Sequence, residues 1–238
     1  MSKIHLVHLY PVEMNIYGDT GNRLVMAQRL AWRGYQPVIH LVGVGEKLPP
    51  QVDFILGGGG QDSGQALVTA DLAKKAAQLK SLAADGVPML MICGLYQLFG
   101  HYFLTKEGDK LPGIGLFDLI TRGSDTRLIG NITIRTAFGE VVGYENHSGL
   151  TELAAGQAAF GQAARGQGNN GQDRTEGATF NNVIGSYLHG PILAKNPALA
   201  DELIARVLQH ASGARPALKP LDDALELAAS ERAKRRPR

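Results

Sequence analysis

The sequence is almost without cysteine. Cys93 is the single one in 238 residues, which excludes an internal disulfide framework and a cysteine-rich zinc site and fits a reducing, cytoplasmic setting. Net charge is nearly absent as well: +2 at pH 7 is too little to argue for a nucleic-acid partner. The N-terminal MSKIHLVHLYPVEMN has no long apolar run and no small-residue cleavage site, so no signal peptide is expected. Residues 86–105 contain no Asp, Glu, Lys or Arg, a membrane span by length alone. Pro88, Gly94, Gln97, Gly100 and His101 interrupt it, and a buried strand followed by a buried helix explains the missing charge better. The glycine run at 57–62 (GGGGQD) is followed by no Gly-Lys-Ser/Thr and fits no G-x-G-x-x-G register, so neither nucleotide fingerprint applies.

What is present reads as a compact enzyme, 44% hydrophobic and 19% charged. Met89, Leu90, Met91 and Ile92 form a short apolar run opening on Pro88, the pattern of a strand buried on both faces. Cys93, Gly94 and the helix-like spacing of Leu95, Tyr96, Leu98 and Phe99 follow at once. Strand, reactive residue, glycine and helix make a nucleophile elbow, and a helix N-terminus behind the sulfur favours the thiolate. Position alone leaves open the alternative that Cys93 is a small buried hydrophobe.

Around this element the spacing predicts strands at 4–9, 37–44 and 52–56, with helices at 22–33 (capped by Asn22) and from Thr69 or Asp71 to Ala84. This alternation argues for a parallel α/β sheet with its site at the carboxyl ends of the strands. The second half reads as short strands at 115–120, 131–136, 141–143, 179–181 and 183–188, and the polar loop 166–177 as a hairpin connection. A helix is predicted over 197–211. Residues 213–238 form a tail with a short helix and a solvated basic end.

A nucleophilic thiol needs a base, and there are seven histidines. His189 ends the strand at 183–188 and precedes Gly190-Pro191, so it stands at a strand's carboxyl end. His147 is the second candidate. His101 lies on the order of 10 Å along the elbow helix; His5 and His8 read as structural, His40 lies by the second strand and His210 on a late helix. A Cys–His pair points to acyl transfer through a thioester. Backbone N–H groups of Gly94 and of the glycine run suit an oxyanion hole. No carboxylate follows His189, where one would orient the imidazole; Pro191 and Ile192 stand there.

The motifs ICGLYQLFG at 92–100 and YLHGP at 187–191 resemble the class I, triad-type glutamine amidotransferases, and GYENHSG at 143–149 is similar to their cobyric acid synthase-like branch. Leu9-Tyr10-Pro11, MNIYGD at 14–19, the glycine run, GNNG at 168–171 and Glu176-Gly177 look most like the glutaminase subunits of lipid II isoglutaminyl synthases. The resemblance implies a flavodoxin-like, three-layer α/β domain with a mainly parallel central sheet, over residues 1–212, followed by the tail at 213–238. It implies that Cys93 attacks the side-chain amide of L-glutamine, that His189 is the general base and acid, and that Gly94 with Gly59 or Gly60 holds the oxyanion. Arg127 matches the family's arginine for the glutamine α-carboxylate, a role suited to a planar bidentate donor. Gln97 matches a glutamine near the substrate. No metal or cofactor is implied for this chain. ATP and Mg would be used by a Mur-ligase-like, MurT-type partner that amidates the D-glutamate α-carboxyl of the lipid II stem peptide in peptidoglycan synthesis. Membrane contact would be indirect, through lipid II. The absent carboxylate after His189 points to an aspartate supplied by that partner. The alternatives are a glutaminase serving another ATP-dependent, cobyrinate-type partner, a free cysteine hydrolase, and a non-catalytic binding module of the same fold.

Overall fold

The computed structural model describes residues 2–237, the side chain of Asp62 excepted. Six strands form the central sheet: β1 (Lys3–Leu9), β2 (Gln36–Val42), β3 (Phe54–Gly57), β4 (Met89–Ile92), and, after the six strands of a second sheet, β11 (Ala178–Phe180) and β12 (Val183–Ser186). Their spatial order is β11-β12-β4-β3-β1-β2. All pair in parallel except β11, which runs antiparallel to β12. Read from β2 to β12 this is the doubly wound, flavodoxin-like order. Every residue of β3, β4 and β12 is buried, as continuous apolar runs covered on both faces require.

Helix α1 (Thr20–Trp32) crosses from β1 to β2, and α2 (Asp62–Ala84) from β3 to β4. The two crossovers step in opposite directions along the sheet, so right-handed connections place them on opposite faces and give three layers. The short α3 (Gly94–Phe99) follows β4 and packs on α2; α4 (Pro197–Ser212) packs on α1.

The second sheet contains β5 (Tyr102–Leu104), β6 (Lys110–Pro112), β7 (Leu119–Thr136), β8 (Gly139–Leu153), β9 (Gly161–Arg165) and β10 (Thr175–Glu176). Its spine is the long β7–β8 hairpin, where the sequence suggests only fragments at 131–136 and 141–143. The strand expected at 115–120 begins at Leu119. β5, β6 and β9, each five residues or shorter, carry no alternation long enough to read. Of the polar loop 166–177, residues 166–174 make the expected hairpin connection, from β9 to an antiparallel β10 that the loop itself contains. Buried Asn169 ties it down: its Nδ2 donates to Thr175 Oγ1 at 3.1 Å and Gly177 O at 3.0 Å, and its Oδ1 accepts from Tyr96 at 3.0 Å.

Two helix starts differ from the sequence reading. Helix α1 begins at Thr20, because Asn22 is spent on tertiary contacts: its Oδ1 accepts from Leu193 N at 2.9 Å. Helix α2 begins at Asp62, straight out of the glycine run. Gly64, which argues against a helix there, is needed because a Cβ would come within 2.8 Å of Glu13 O. The tail carries α5 (Ala224–Arg235). Buried Arg29 pairs with Asp201 at 2.7 Å and with Asp223, at the start of α5, at 2.5 Å. Farther along, Arg165 donates to Lys234 O at 2.9 Å and Asn131 to Pro237 O at 2.6 Å. Among the described residues no helix is long and apolar enough to cross a membrane.

Candidate active site

The parallel register brings three strand ends together. Ser186 pairs with Ile92 across β12 and β4, and Gly57 pairs with Met91 across β3 and β4. Cys93 therefore leaves the sheet between the segment that leads to His189 and the glycine run at 57–60. Its backbone takes φ 51° and ψ −106°, a positive φ that strains any residue with a Cβ. The bend is held by Cys93 N–H to Ser186 O at 2.8 Å, Gln97 N–H to Cys93 O at 3.0 Å and Leu95 N–H to Gly58 O at 3.3 Å.

Gly59 shows how close the pieces come. A Cβ placed there would lie 3.1 Å from Cys93 Cβ, 3.5 Å from Cys93 Sγ and 3.2 Å from His189 Cε1. The thiol and the imidazole thus converge on one point that only a residue without a side chain leaves open. His189 is 2% exposed and its backbone bonds both ways to Tyr144. Neither ring nitrogen has a hydrogen-bond partner among the described residues. Burial first, then the fields of His147 and Arg127, push its pKa down to about 3, so the ring is neutral at physiological pH, and holding a proton there requires a nearby negative charge to stabilise the imidazolium. The ring of Tyr17 lies against it, centroids 4.1 Å apart and tilted 43°.

A cavity of about 350 Å³ opens above the sulfur, lined among others by Tyr17, Cys93, Gln97, Arg127, Asn146 and His147. Its volume is that of a small-molecule site. Among the described side chains that line it there is no carboxylate, so Arg127 makes it a receptor for an anionic group. Arg127 reaches the cavity because β7 bulges: residues 124–127 stand opposite the single Ser148 of β8. Such an interruption re-aims a side chain that a regular ladder would send elsewhere. Its Nε donates to Asn146 Oδ1 at 2.6 Å and its Nη2 to Tyr17 Oη at 3.0 Å. Among the described residues no group of three or more His, Cys, Asp or Glu is placed to hold a metal ion.

A family model for the CobB/CobQ-like glutamine amidotransferase domain matches residues 5–197. The chain belongs to the CobB/CobQ-like glutamine amidotransferases. It is 35% identical over 97% of its length, and 95% of the relative's, to "Lipid II isoglutaminyl synthase (glutamine-hydrolyzing) subunit GatD" of Staphylococcus aureus. To the Streptococcus pneumoniae subunit of the same name it is 36% identical, over 94% of this chain and 87% of that one. Its fold is similar to a PurLQS structure from Thermotoga maritima, with a TM-score of 0.55 and 16% identity, covering 89% of this chain and all of that one (100%).

In this amidotransferase the sequence-chosen residues are sorted by geometry. Cys93 and His189 both border the space beside Gly59, and Arg127 and Gln97 share the cavity with Cys93. Gln97 is only 4% exposed, accepting from Gln65 Nε2 at 2.7 Å and donating to Tyr187 Oη at 3.0 Å; it lines the wall in a fixed orientation. The oxyanion assignment needs one correction. Gly59 N–H donates to Asp19 Oδ2 at 2.9 Å, so its amide is committed and its contribution is empty space beside the sulfur. Gly60, which lines the cavity, is left from that pair, with Gly94 at the start of α3. His147 lines the cavity with its ring flat on Tyr187 (3.6 Å, 6°) and its Nδ1 donating to Gly149 O at 2.7 Å. His101 bonds Asp118 at 2.8 Å outside this cavity, and His5 pairs with His40 at 2.9 Å. His8 is buried, and neither of its ring nitrogens has a partner among the described residues.

Sequence reasoning missed Asp19, Asn146 and the part played by Tyr17. All three lie in motifs that were legible, but only the fold brings them to Gly59 and Arg127. Asp19 is fully buried, and burial lifts its pKa to about 6 against the lowering effect of the Gly59 N–H bond.

Proposed function

We infer that this chain is the glutaminase subunit of a lipid II isoglutaminyl synthase. The observation that carries the reading is the convergence of Cys93 and His189 on Gly59, beside a cavity that Cys93 and Arg127 line. Nearly full-length similarity to two subunits of that name supports it.

Arg127 receives the α-carboxylate of L-glutamine through the edge of its guanidinium not used by Asn146 and Tyr17. Cys93 gives its proton to neutral His189, and the sulfur attacks the side-chain amide carbon. The N–H groups of Gly94 and Gly60 face the oxygen of the tetrahedral intermediate. His189 returns the proton to the departing nitrogen, which leaves as ammonia, and water then hydrolyses the thioester to glutamate. The ammonia passes to a MurT-type, Mur-ligase-like partner that uses ATP and Mg to activate the D-glutamate α-carboxyl of the lipid II stem peptide. The unpartnered ring nitrogens of His189 support an aspartate from that partner as the third catalytic group. A buried N–H without an acceptor costs about 1–3 kcal/mol, and a carboxylate there would recover it and fix the tautomer.

The test is reconstitution with the co-expressed synthetase, lipid II, ATP and glutamine. Amidated lipid II formed by wild type and absent with Cys93→Ala supports the reading. Glutamine hydrolysis with no amidation of lipid II would favour the second reading, a cobyrinate-type acceptor, which the family match itself allows.

A further inference from the structure

We propose that Tyr17 is a two-ended positioning residue, its hydroxyl setting the Arg127 fork for the substrate carboxylate and its ring setting the plane of the His189 imidazole. The proposal rests on the glutaminase reading and assigns a role to a residue that reading does not use.

At the hydroxyl end, Tyr17 Oη accepts from Arg127 Nη2 at 3.0 Å and donates to Asn146 O at 3.5 Å. Arg127 Nε donates to Asn146 Oδ1 at 2.6 Å. Nε and Nη2 share one edge of the guanidinium plane. Two acceptors on that edge fix the plane and leave Nη1, which has no partner among the described residues, on the open edge. A carboxylate bound end-on by Nη1 and Nη2 needs this orientation. Arg127 is exposed and stands in a bulge, so without Tyr17 one of the two contacts that orient it is gone.

At the ring end, the His189 side chain has no hydrogen bond among the described residues. An imidazole with free nitrogens can turn about its bonds to the backbone, and a turn would change the direction in which its acceptor nitrogen faces the space beside the thiol. The Tyr17 ring, 4.1 Å away by centroid, closes one face of it, while the space at Gly59 bounds the Cε1 edge. Tyr17 is half-buried in the loop between β1 and α1. That loop is anchored at both ends: Tyr10 donates to Asp71 at 2.8 Å, and Asp19 holds Gly59. The ring is therefore presented from a fixed mount.

The two ends separate by substitution. Tyr17→Phe keeps the ring and deletes the acceptor; Tyr17→Ala deletes both. In ammonia release by the two-subunit enzyme over a range of glutamine concentrations, Tyr17→Phe should raise KM about five- to tenfold, as for one lost hydrogen bond of ordinary strength at an exposed guanidinium, with kcat within about twofold of wild type. Tyr17→Ala should raise KM to the same extent and also lower kcat about tenfold, as expected for a misplaced base. A purely structural tyrosine would not split KM from kcat in this way. Unchanged KM in the Phe variant, or identical kinetics for Phe and Ala, overturns the proposal while leaving the glutaminase reading intact. Ammonia release that persists in Cys93→Ala would overturn the glutaminase reading, and this proposal with it.

Discussion

Gly59→Ala is the substitution that probes the site most locally. The added methyl would stand 3.1 Å from Cys93 Cβ, 3.2 Å from His189 Cε1 and 3.5 Å from Cys93 Sγ. Carbon pairs rest at roughly 3.5–4.0 Å, so the neighbours must yield by a few tenths of an ångström. Gly59 does not need a positive φ, and the backbone accepts alanine. The stability cost is therefore the mild overpacking of one methyl, about 1 kcal/mol, which lowers Tm by about 2–4 °C in a protein of this size. Catalysis should suffer far more. The methyl lies where sulfur and imidazole converge, and misplacement of reacting groups by about 1 Å costs on the order of a hundredfold. The expected loss in kcat is about tenfold to a hundredfold, measured as ammonia release by the two-subunit enzyme at saturating glutamine. A glutamine-analogue diazoketone should label Cys93 more slowly by a similar factor. A variant that melts like wild type and turns over within about twofold of it would refute the convergence of Cys93 and His189.

Arg127→Lys should raise KM for glutamine about tenfold or more with a small change in kcat, because an ammonium cannot reproduce the two-edged contact to Asn146, Tyr17 and a carboxylate; initial-rate kinetics decide it. Glu176 is fully buried, and burial, with Glu145 adding to it, raises its pKa from 4.5 to about 8 against the opposing bonds from Tyr187 N–H and Ser186. A raised folded-state pKa means that the folded chain holds the extra proton between those values, so stability falls as pH climbs through them. Chemical denaturation at about pH 5 and about pH 9 should therefore show Glu176→Gln gaining on wild type at the higher value. Gly185→Ala places a Cβ 2.1 Å from the buried Tyr96 ring. It should cost about 2–3 kcal/mol by denaturant unfolding, at the upper end of the range for overpacked cores.

The central sheet was legible because its strands are short apolar runs punctuated by Gly and Pro, and Cys93 stands at one such boundary. The β7–β8 hairpin was not. Its polar and small residues, such as Thr121, Thr133 and Thr151, are buried through mutual hydrogen bonding and sheet packing rather than through alternation; Thr121 and Thr151 share a bond of 2.7 Å. Helix α2 was read two turns late because Gly64 mimics a loop residue while serving a close approach to Glu13. Cys93 and His189 could be chosen from their positions at strand ends. Arg127 could be found only by family resemblance, since a register shift delivers it and no local pattern announces one. The commitment of the Gly59 amide to Asp19, residues 40 apart in sequence, lies beyond any spacing rule.

The most direct test is ammonia release from L-glutamine by wild type and Cys93→Ala, each with the co-purified synthetase subunit and alone. The account predicts release by the wild-type complex, far less by the isolated wild-type chain, whose His189 has no orienting carboxylate among the described residues, and none above background from Cys93→Ala. Release from Cys93→Ala at the wild-type rate would contradict it.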